Sequence, residues 1–208
     1  MKLAVFGATG GLGREVVKSA LTAGHTVRAM ARDASKLRSQ AVDVTIGDLS
    51  QSEAIRSTIE GTEAVISCIG VSKGGDPEAF GVGMQSILDA MHEHRVNRLI
   101  AISGAGLELE GDASGFGRRF IITMLKLFAR DVLRGKELEW DVIRASKVDW
   151  TLVRVARMAE RPAAGSVKTD LHRVSGSPMV AYADVATWMV HEASAREFVC
   201  KAPFVSGA

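Results

Sequence analysis

The N-terminal half of the chain alternates between short apolar runs and longer segments in which apolar residues recur every three or four positions. The runs have the length of buried strands, and the longer segments have the period of amphipathic helices. This pattern predicts five strands, at residues 3–6, 25–31, 42–47, 64–69 and 99–102. The helices between them are predicted from residue 13 to a stop at Gly24, and over 52–59 and 77–94. Strands that alternate with helices in this way indicate an α/β fold, a doubly wound parallel sheet with helices on both faces.

The pattern is less regular beyond Gly106. Residues 118–134 predict a helix with two adjoining apolar rows and a basic strip, ended by Gly135. So wide an apolar surface has to be buried both against the sheet and against a second partner. Three candidates for that partner are considered: the loops on the substrate side, a second copy of the chain in a homodimer, or a membrane surface. The remaining predictions are a helix at 138–145, a sixth strand at 148–153, an irregular segment at 159–178 and a final helix at 182–194. Within the irregular segment, the candidates for substrate contacts are Lys168, Asp170, His172 and Arg173.

Length and composition narrow the class of protein. A chain of 208 residues with no repeat or linker is expected to form one domain. Hydrophobic residues make up 47% and charged residues 24%, as in a typical globular protein. The net charge of +2 is too small to indicate a nucleic-acid partner. We expect no secretory signal, since the glycine turn interrupts the N-terminal apolar run and Arg14 and Glu15 follow it. We expect no membrane span, since no apolar run reaches the required length of about 18 residues.

The two cysteines and the neighbouring histidines give no metal site. Cys68 and Cys200 lack metal-ligand spacing, and so few cysteines favour a reducing, cytoplasmic location. His92 and His94 end a predicted helix with no further ligand pattern beside them. They are therefore interpreted as surface residues that suit the negative end of the helix dipole.

A glycine-rich turn separates the first strand from the first helix. In Gly7-Ala-Thr-Gly-Gly-Leu-Gly13, Gly7 allows a tight reversal, Gly10 leaves room for a pyrophosphate to approach the backbone, and Gly13 lets the helix pack closely on the strand. The start of the helix offers unpaired N–H groups and its positive dipole end to an anion. The residues predicted to hold the phosphates are Gly7, Thr9, Gly10, Gly11, Leu12 and Gly13.

This turn resembles that of the short-chain dehydrogenase/reductase superfamily, in its extended and atypical branches. The segment Ile143–Arg154 is similar to the helix-to-strand passage of the NAD(P)H-binding flavin reductase and biliverdin-IXβ-reductase-like members, although Val155 stands where those usually carry proline. Ala183-Asp-Val-Ala186 resembles the start of their C-terminal helix. The resemblance implies an NAD(P)-binding Rossmann fold and a nicotinamide cofactor. Within the single domain we expect a nucleotide half at about 1–106 and a substrate side at about 107–208.

The end of the second strand is where the adenine ribose is recognised. An acid there favours NAD(H), and Asp33 has the spacing for it, whereas an arginine favours the 2′-phosphate of NADP(H). Arg32 follows the strand directly, and Ser35 and Lys36 add a hydroxyl and a cation. The Arg32-Asp33 pair resembles that of NADPH-using atypical members, so NADP(H) is favoured over NAD(H), the alternative being that Arg32 is a solvated loop cation. The resemblance places Asp48 and Leu49 against the adenine, although by pattern alone Asp48 is equally a helix cap.

The ends of the fourth and fifth strands are the expected nicotinamide end of the site. Ligands bind at the carboxyl edge of open α/β sheets, which makes Cys68, Ile69 and Gly70 candidates for lining the nicotinamide ribose. Ser103 ends the fifth strand near the position of the superfamily's catalytic serine, so it is a candidate for cofactor binding and for catalysis.

The acid that alcohol-forming members use is absent. The chain has one tyrosine, Tyr182, and Ala186 stands where a Tyr-x-x-x-Lys dyad requires lysine. Substitutes for that acid are sought among Asp131, Lys136 and Glu137, between which the spacing does not decide. Ketone reduction needs a positioned acid, whereas hydride transfer to a conjugated ring is mainly a matter of proximity.

The interpretation we favour is therefore NADPH-dependent reduction of a small conjugated acceptor such as a flavin, with FMN or FAD as substrate. The alternative is a non-catalytic NADP(H) sensor that resembles the nitrogen-regulation repressor branch and acts through a protein partner. An isomerase or dehydratase with a substitute acid is the third possibility.

Overall fold

The computed structural model of the chain describes residues 1–37, 41–70, 76–113, 122–124 and 127–208. Its strands are β1 (Lys2–Phe6), β2 (Thr26–Ala31), β3 (Asp43–Ile46), β4 (Ala64–Ser67), β5 (Arg98–Gly104), β6 (Asp149–Val155), β7 (Arg157–Ala159), β8 (Val167–Asp170), β9 (Met179–Ala181) and β10 (Phe204–Gly207). Its helices are α1 (Gly11–Thr22), α2 (Ser52–Ile59), α3 (Pro77–Glu93), α4 (Arg130–Ala145) and α5 (Tyr182–Ala195), and a 3-10 turn covers Ala34–Leu37.

Eight of these strands form one sheet in the order β3-β2-β1-β4-β5-β6-β10-β8. Neighbouring strands from β3 to β10 are parallel, and β8 pairs antiparallel with β10. The chain order reverses between β1 and β4, and such a reversal opens a crevice beyond the carboxyl ends of the strands. The site predicted from the sequence therefore falls at the switch point of the sheet.

Strand β1 lies in the interior of the sheet, and both of its faces are buried. Leu3 and Val5 belong to a core cluster with α1 and α5, while Ala4 and Phe6 belong to a second cluster with α2, α3 and α4. The strand is accordingly apolar at successive positions instead of alternating, as expected for a parallel sheet covered on both faces. The predicted single-domain fold with a doubly wound sheet is confirmed, while the division of the chain near residue 106 stays a prediction.

The prediction of a helix at 118–134 ended by Gly135 is wrong in its continuity and its end, although residues 122–124 and 127–128 are helical. Residues 114–121 and 125–126 lie outside the described residues, but Ala129 has φ −138° and ψ 37°, and α4 begins only at Arg130. Gly135 lies inside α4 and is buried. Leu127 and Phe128, which were expected to be covered, are 68% and 72% exposed.

The prediction that 159–178 is irregular is also wrong in part. β8 occupies residues 167–170, and β7 and β9 form a small parallel sheet of their own. β8 exists because β10 gives it an antiparallel partner, and β10 was not predicted. The four polar candidates from this segment are not equivalent, because the carboxylate of Asp170 accepts the N–H groups of His172 and Arg173 in a local turn.

Buried ion pairs fasten the C-terminal part of the chain to the sheet. Arg98 donates to the carboxylate of Glu192 at 2.7 Å, and both side chains are 2% exposed. Arg154 donates to Asp112 at 2.7 Å and lies 3.8 Å from the ring centroid of Phe204. The second pair holds the loop after β5 against β6 and β10.

Among the residues that the structure describes, no helix has the length and apolar character needed to cross a bilayer.

Candidate functional site

The glycine turn after β1 has the geometry that its sequence predicts. Gly7 has φ +75°, and a Cβ on it would lie 2.8 Å from the carbonyl oxygen of Cys68. A Cβ on Gly13 would lie 2.1 Å from the carbonyl oxygen of Gly7, so α1 packs directly on the turn. Both positions therefore require glycine for reasons within the protein itself.

Gly10 differs from these two glycines. A Cβ there would meet only the carbonyl oxygen of Gly7, at an ordinary contact distance of 3.4 Å. The protein does not fill the space beside the Cα of Gly10 with its own atoms. That space lies where a pyrophosphate would approach the backbone.

The N-terminus of α1 has free hydrogen-bonding capacity. Gly10 is the N-cap residue and supplies no side-chain cap, and no acidic residue occupies the first turn. The first N–H groups of a helix have no partner within it, and here no carboxylate of the first turn compensates the dipole. This end of α1, from Gly11 to Gly13, fits a phosphate group. Thr9 precedes it and uses its carbonyl oxygen to accept Nη1 of Arg14 at 3.1 Å.

A cleft of about 420 Å³ opens beside this turn. Six of the predicted residues line it, namely Gly7, Thr9, Arg32, Asp48, Leu49 and Ile69. They come from the ends of β1, β2, β3 and β4, so the fold brings together residues that are up to 62 positions apart in the chain. The volume is within the usual range for small-molecule pockets.

The two candidates for recognising the ribose are placed differently. Arg32 is exposed and lines the cleft. Asp33 accepts the N–H of Ser35 at 2.9 Å and thereby stabilises the turn that follows β2. Ser35 is exposed and lies in that turn rather than in the wall of the cleft.

Asp48 follows β3 and also lines the cleft. Its Oδ1 accepts both the N–H of Ser50 at 2.9 Å and the hydroxyl of Ser50 at 2.6 Å. These bonds, with a smaller contribution from the charge of Arg32, hold the pKa of the Asp48 carboxyl below its ordinary value. Asp48 therefore stays ionised. It is not the cap of α2, since the N-cap position is Gln51.

Leu49 packs against helix α3. A Cβ on Gly83 of α3 would lie 2.9 Å from Cδ1 of Leu49, so helix and side chain are in close contact. One part of Leu49 packs into the core beneath the sheet and another part lines the cleft. This arrangement provides an apolar wall next to Asp48.

At the predicted nicotinamide end, one candidate residue is half-buried and another is exposed. Cys68 is half-buried and packs its side chain against the core, and this burial raises the pKa of the Cys68 thiol to about 12. Gly70 is exposed, and a Cβ on it would meet nothing within 4 Å. The rest of the loop, 71–75, lies outside the described residues.

Ser103 is 4% exposed, and its hydroxyl has no hydrogen-bond partner among the described residues. A buried hydroxyl without a partner is uncommon and calls for a functional or structural explanation. The serine does not line the cleft of 420 Å³. The structure therefore places Ser103 at the predicted strand end, but not on the open surface of the site.

Lys136 is the one of the three substitute acids that lies at this end of the site. It projects from α4 and is 8% exposed, whereas Asp131 and Glu137 are exposed. Its ammonium donates to the carbonyl oxygens of Ile69 and Ile102 and to the carboxylate of Glu139. Burial raises the pKa of Glu139, and the charge of Lys136 opposes this shift.

The single tyrosine lies beside the glycine turn. Tyr182 begins α5, and a Cβ on Gly11 would lie 3.0 Å from its ring. Ala186, four residues on, is fully buried in the core. The ring therefore packs over the start of α1 and has no lysine on the next turn of its helix.

Within the described ranges, no three His, Cys, Asp or Glu side chains are grouped as metal ligands would be. His92 is exposed and His94 is half-buried at the end of α3.

The sequence interpretation missed several residues of the cleft. Phe80, from the helix predicted at 77–94, lines the cleft, and Met30, Ala31, Gly47 and Ser50 line it as well. The pairing of Lys136 with Glu139 was also missed, because charged residues on a helix are usually interpreted as solvent-exposed.

Comparisons with known proteins agree with this geometry. The chain is 31% identical over 106 residues to the protein YwnB of Bacillus subtilis, an alignment that covers 51% of this chain and 48% of YwnB. It is 33% identical over 110 residues to the photosystem II assembly factor Ycf39 of Cyanophora paradoxa, covering 50% of this chain and 34% of that protein. The matches span about half or less of the length of these curated relatives.

Solved structures resemble the whole chain. One is ChuY, an anaerobillin reductase from Escherichia coli O157:H7, with a TM-score of 0.81 and 20% identity over 99% of this chain and 97% of that one. Another is a short-chain dehydrogenase/reductase from Veillonella parvula DSM 2008 in complex with NADP, with a TM-score of 0.80 and 17% identity over 99% and 94% of the two chains. At these identities the likeness shows a shared fold.

The family model of NAD(P)H-binding proteins matches residues 7–195, which begin at the first glycine of the turn and end at the last residue of α5. The chain therefore belongs to the NAD(P)H-binding family, with the fold of NAD(P)-binding oxidoreductases.

Proposed function

We propose that this protein is an NADPH-dependent reductase that transfers hydride to a flavin or a similar conjugated acceptor. The observation that carries the proposal is the position of Arg32 in the wall of the cleft. Its guanidinium has the geometry to bind a phosphate with two parallel hydrogen bonds. Asp33, the residue that would favour NAD(H), is engaged with the backbone of Ser35. The likeness to a structure that contains NADP supports the same preference.

The cofactor is proposed to extend along the carboxyl edge of the sheet. The phosphates lie on residues 7–13, the 2′-phosphate on Arg32 and the adenine between Asp48 and Leu49. The nicotinamide lies near Ile69, Gly70 and Ser103, with the acceptor above it. Bound NADPH supplies the hydride, and the protein holds the two rings in contact.

The state of the polar groups at the nicotinamide end supports an acceptor that needs no acid. Lys136 is bound to two carbonyl oxygens and a carboxylate, and the hydroxyl of Ser103 is buried. Tyr182 has no lysine partner. Hydride transfer to a conjugated ring spreads the negative charge over the ring, so proximity and orientation supply most of the rate. The resemblance in fold to an anaerobillin reductase is in line with such an acceptor.

The experiment combines binding and turnover. NADPH and NADH are titrated into the purified protein by calorimetry, FMN and FAD are then added, and absorbance is followed at the nicotinamide band. We expect tighter binding of NADPH and flavin-dependent oxidation. Tight binding without oxidation by any conjugated acceptor would contradict the reductase proposal.

A second candidate function is an NADP(H) sensor that acts through a protein partner. Leu127 and Phe128 favour it, because two adjacent large apolar side chains about 70% exposed are unusual on the surface of a monomer. The same patch is a candidate homodimer contact. Turnover with flavin separates the reductase from the sensor, while the acceptor, the oligomeric state and the cytoplasmic location stay predictions.

A further inference from the structure

Lys136 carries its charge into the carboxyl edge of the sheet. The side chain is 10% exposed, and Nζ lies 2.9 Å from the carbonyl oxygens of both Ile69 and Ile102. Its remaining contact is with Oε2 of Glu139, at 2.5 Å and one helical turn further along α4. An ammonium has three N–H groups, and all three are in use. Lys136 therefore has no proton left to donate to an acceptor, and its role has to be sought in what it holds.

The two carbonyl groups belong to different strands. The pairing of β4 with β5 ends at Ser67 and Ala101, so Ile69 lies two residues beyond the last paired position of β4. Ile102 is still inside β5 and precedes Ser103. The ammonium thus joins the two strand ends at a point where the ladder of the sheet no longer does. The side chain of Ile69 lines the cleft, so whatever fixes its backbone also shapes the wall of the site.

A contribution to overall stability does not explain this pair. Buried ion pairs lose much hydration, and apolar replacements of similar volume are often neutral or stabilising. Glu139 is fully buried, and its pKa is raised by that burial. An arrangement that gains little stability but holds two backbone oxygens at a binding edge is better explained by the positions it fixes.

We propose that Lys136 is a positioning residue for the nicotinamide end of the cofactor site, acting through the carbonyl groups of Ile69 and Ile102. Its ammonium fixes the Ile69–Gly70 backbone against β5 and thereby holds the surface on which the nicotinamide ring lies. The inference rests on the proposed function for the placement of the nicotinamide at this edge.

The test compares two ligands that differ only at the nicotinamide end. NADPH and 2′-phospho-ADP-ribose, which lacks the nicotinamide ring, are titrated by calorimetry into the wild type and two variants. In Lys136→Met/Glu139→Gln the ammonium and the carboxylate are both removed, so that no buried carboxylate is left unpaired. In the matched control Glu139→Gln the lysine is retained. We expect the double variant to bind NADPH about tenfold more weakly than the wild type does, and 2′-phospho-ADP-ribose within twofold. A displaced Ile69–Gly70 backbone weakens only the contacts of the nicotinamide ring, which 2′-phospho-ADP-ribose lacks. The control should bind both ligands as the wild type does.

Equal losses for the two ligands in the double variant would overturn the inference, because they indicate a general structural role. No loss for either ligand would overturn it as well. If circular dichroism shows that the double variant is unfolded, Lys136→Arg takes its place, since arginine keeps the charge but displaces the N–H groups, and the same split is expected. If the wild type binds 2′-phospho-ADP-ribose as tightly as NADPH, the nicotinamide ring contributes nothing to binding at this edge and the inference fails. The assignment of the 2′-phosphate to Arg32 is still tested separately by comparing NADPH with NADH.

Discussion

Arg32→Ala tests the choice between the two cofactors most directly. The side chain is exposed in the wall of the cleft, and its charge is close enough to Asp48 to lower the pKa of that carboxyl. A hydrogen bond from a guanidinium to a charged acceptor contributes about 1.5–3 kcal/mol, and each 1.4 kcal/mol changes the dissociation constant tenfold. We therefore expect the variant to bind NADPH about 10- to 100-fold more weakly and NADH within about twofold of wild type.

The matched control is Lys36→Ala. Lys36 is an exposed cation four residues further along the chain, and it does not line the cleft. Its removal changes the net charge by the same amount, so any loss of NADPH affinity in this variant measures the long-range field alone. That loss should disappear as salt shortens the screening length to about 8 Å at physiological ionic strength.

Calorimetry of both cofactors with both variants gives four dissociation constants. Similar losses for NADPH and NADH in Arg32→Ala would refute the assignment of the 2′-phosphate. Equal losses for NADPH in the two variants would show that general electrostatics, and not a direct contact, favours the phosphorylated cofactor.

Four further variants probe the turn, the ion pair and the exposed patch. Gly10→Val should abolish binding of both cofactors while the melting curve stays near that of wild type, because the protein leaves this space open; retained binding would contradict its role. Gly13→Ala should instead lower the free energy of unfolding by about 3 kcal/mol in urea titrations, since overpacking at a fixed backbone contact is costly, and an unchanged stability would contradict the close approach of α1. Because burial raises the pKa of Glu139, the wild type loses stability as the pH rises above the ordinary glutamate pKa and through the raised pKa. The free energy of unfolding of Glu139→Gln relative to wild type should therefore increase from pH 4 to pH 7. A difference that does not change with pH would show that the charge of Lys136 cancels the effect of burial. Leu127→Ser/Phe128→Ser should convert a dimer into a monomer in size-exclusion chromatography at two concentrations, unless the wild type is itself monomeric, which would refute the homodimer contact.

The structure of residues 1–106 was predicted well from the sequence because hydrophobic periodicity and turn chemistry agree there. α2 was predicted with the bounds that the structure gives, Ser52–Ile59. β1 and the glycine turn follow from short-range sequence alone, since an apolar run, a positive φ at Gly7 and the start of a helix are adjacent. The cleft residues from β2, β3 and β4 could then be assigned because parallel strands present their carboxyl ends at one edge.

Residues 107–208 were predicted less well because their elements depend on distant partners. Gly135 was interpreted as a helix stop, since glycine costs about 1 kcal/mol within a helix relative to alanine. In the structure it is buried inside α4, so tertiary packing overrides this local preference. β8 is a strand only because β10 pairs with it, and no local pattern around Lys168 reveals that pairing.

The ion pair of Lys136 and Glu139 shows a different limit of sequence reasoning, and it also bears on the chemistry. Lys136 was considered as a replacement for the missing tyrosine because it lies in the right part of the chain, but spacing says nothing about where its protons go. In the structure they are all bound, two of them by backbone oxygens at the binding edge. A lysine in this state holds a site together and cannot protonate an alkoxide without giving up one of those bonds. A ketone substrate would therefore need an acid from elsewhere, whereas a conjugated acceptor needs only a well-placed ring.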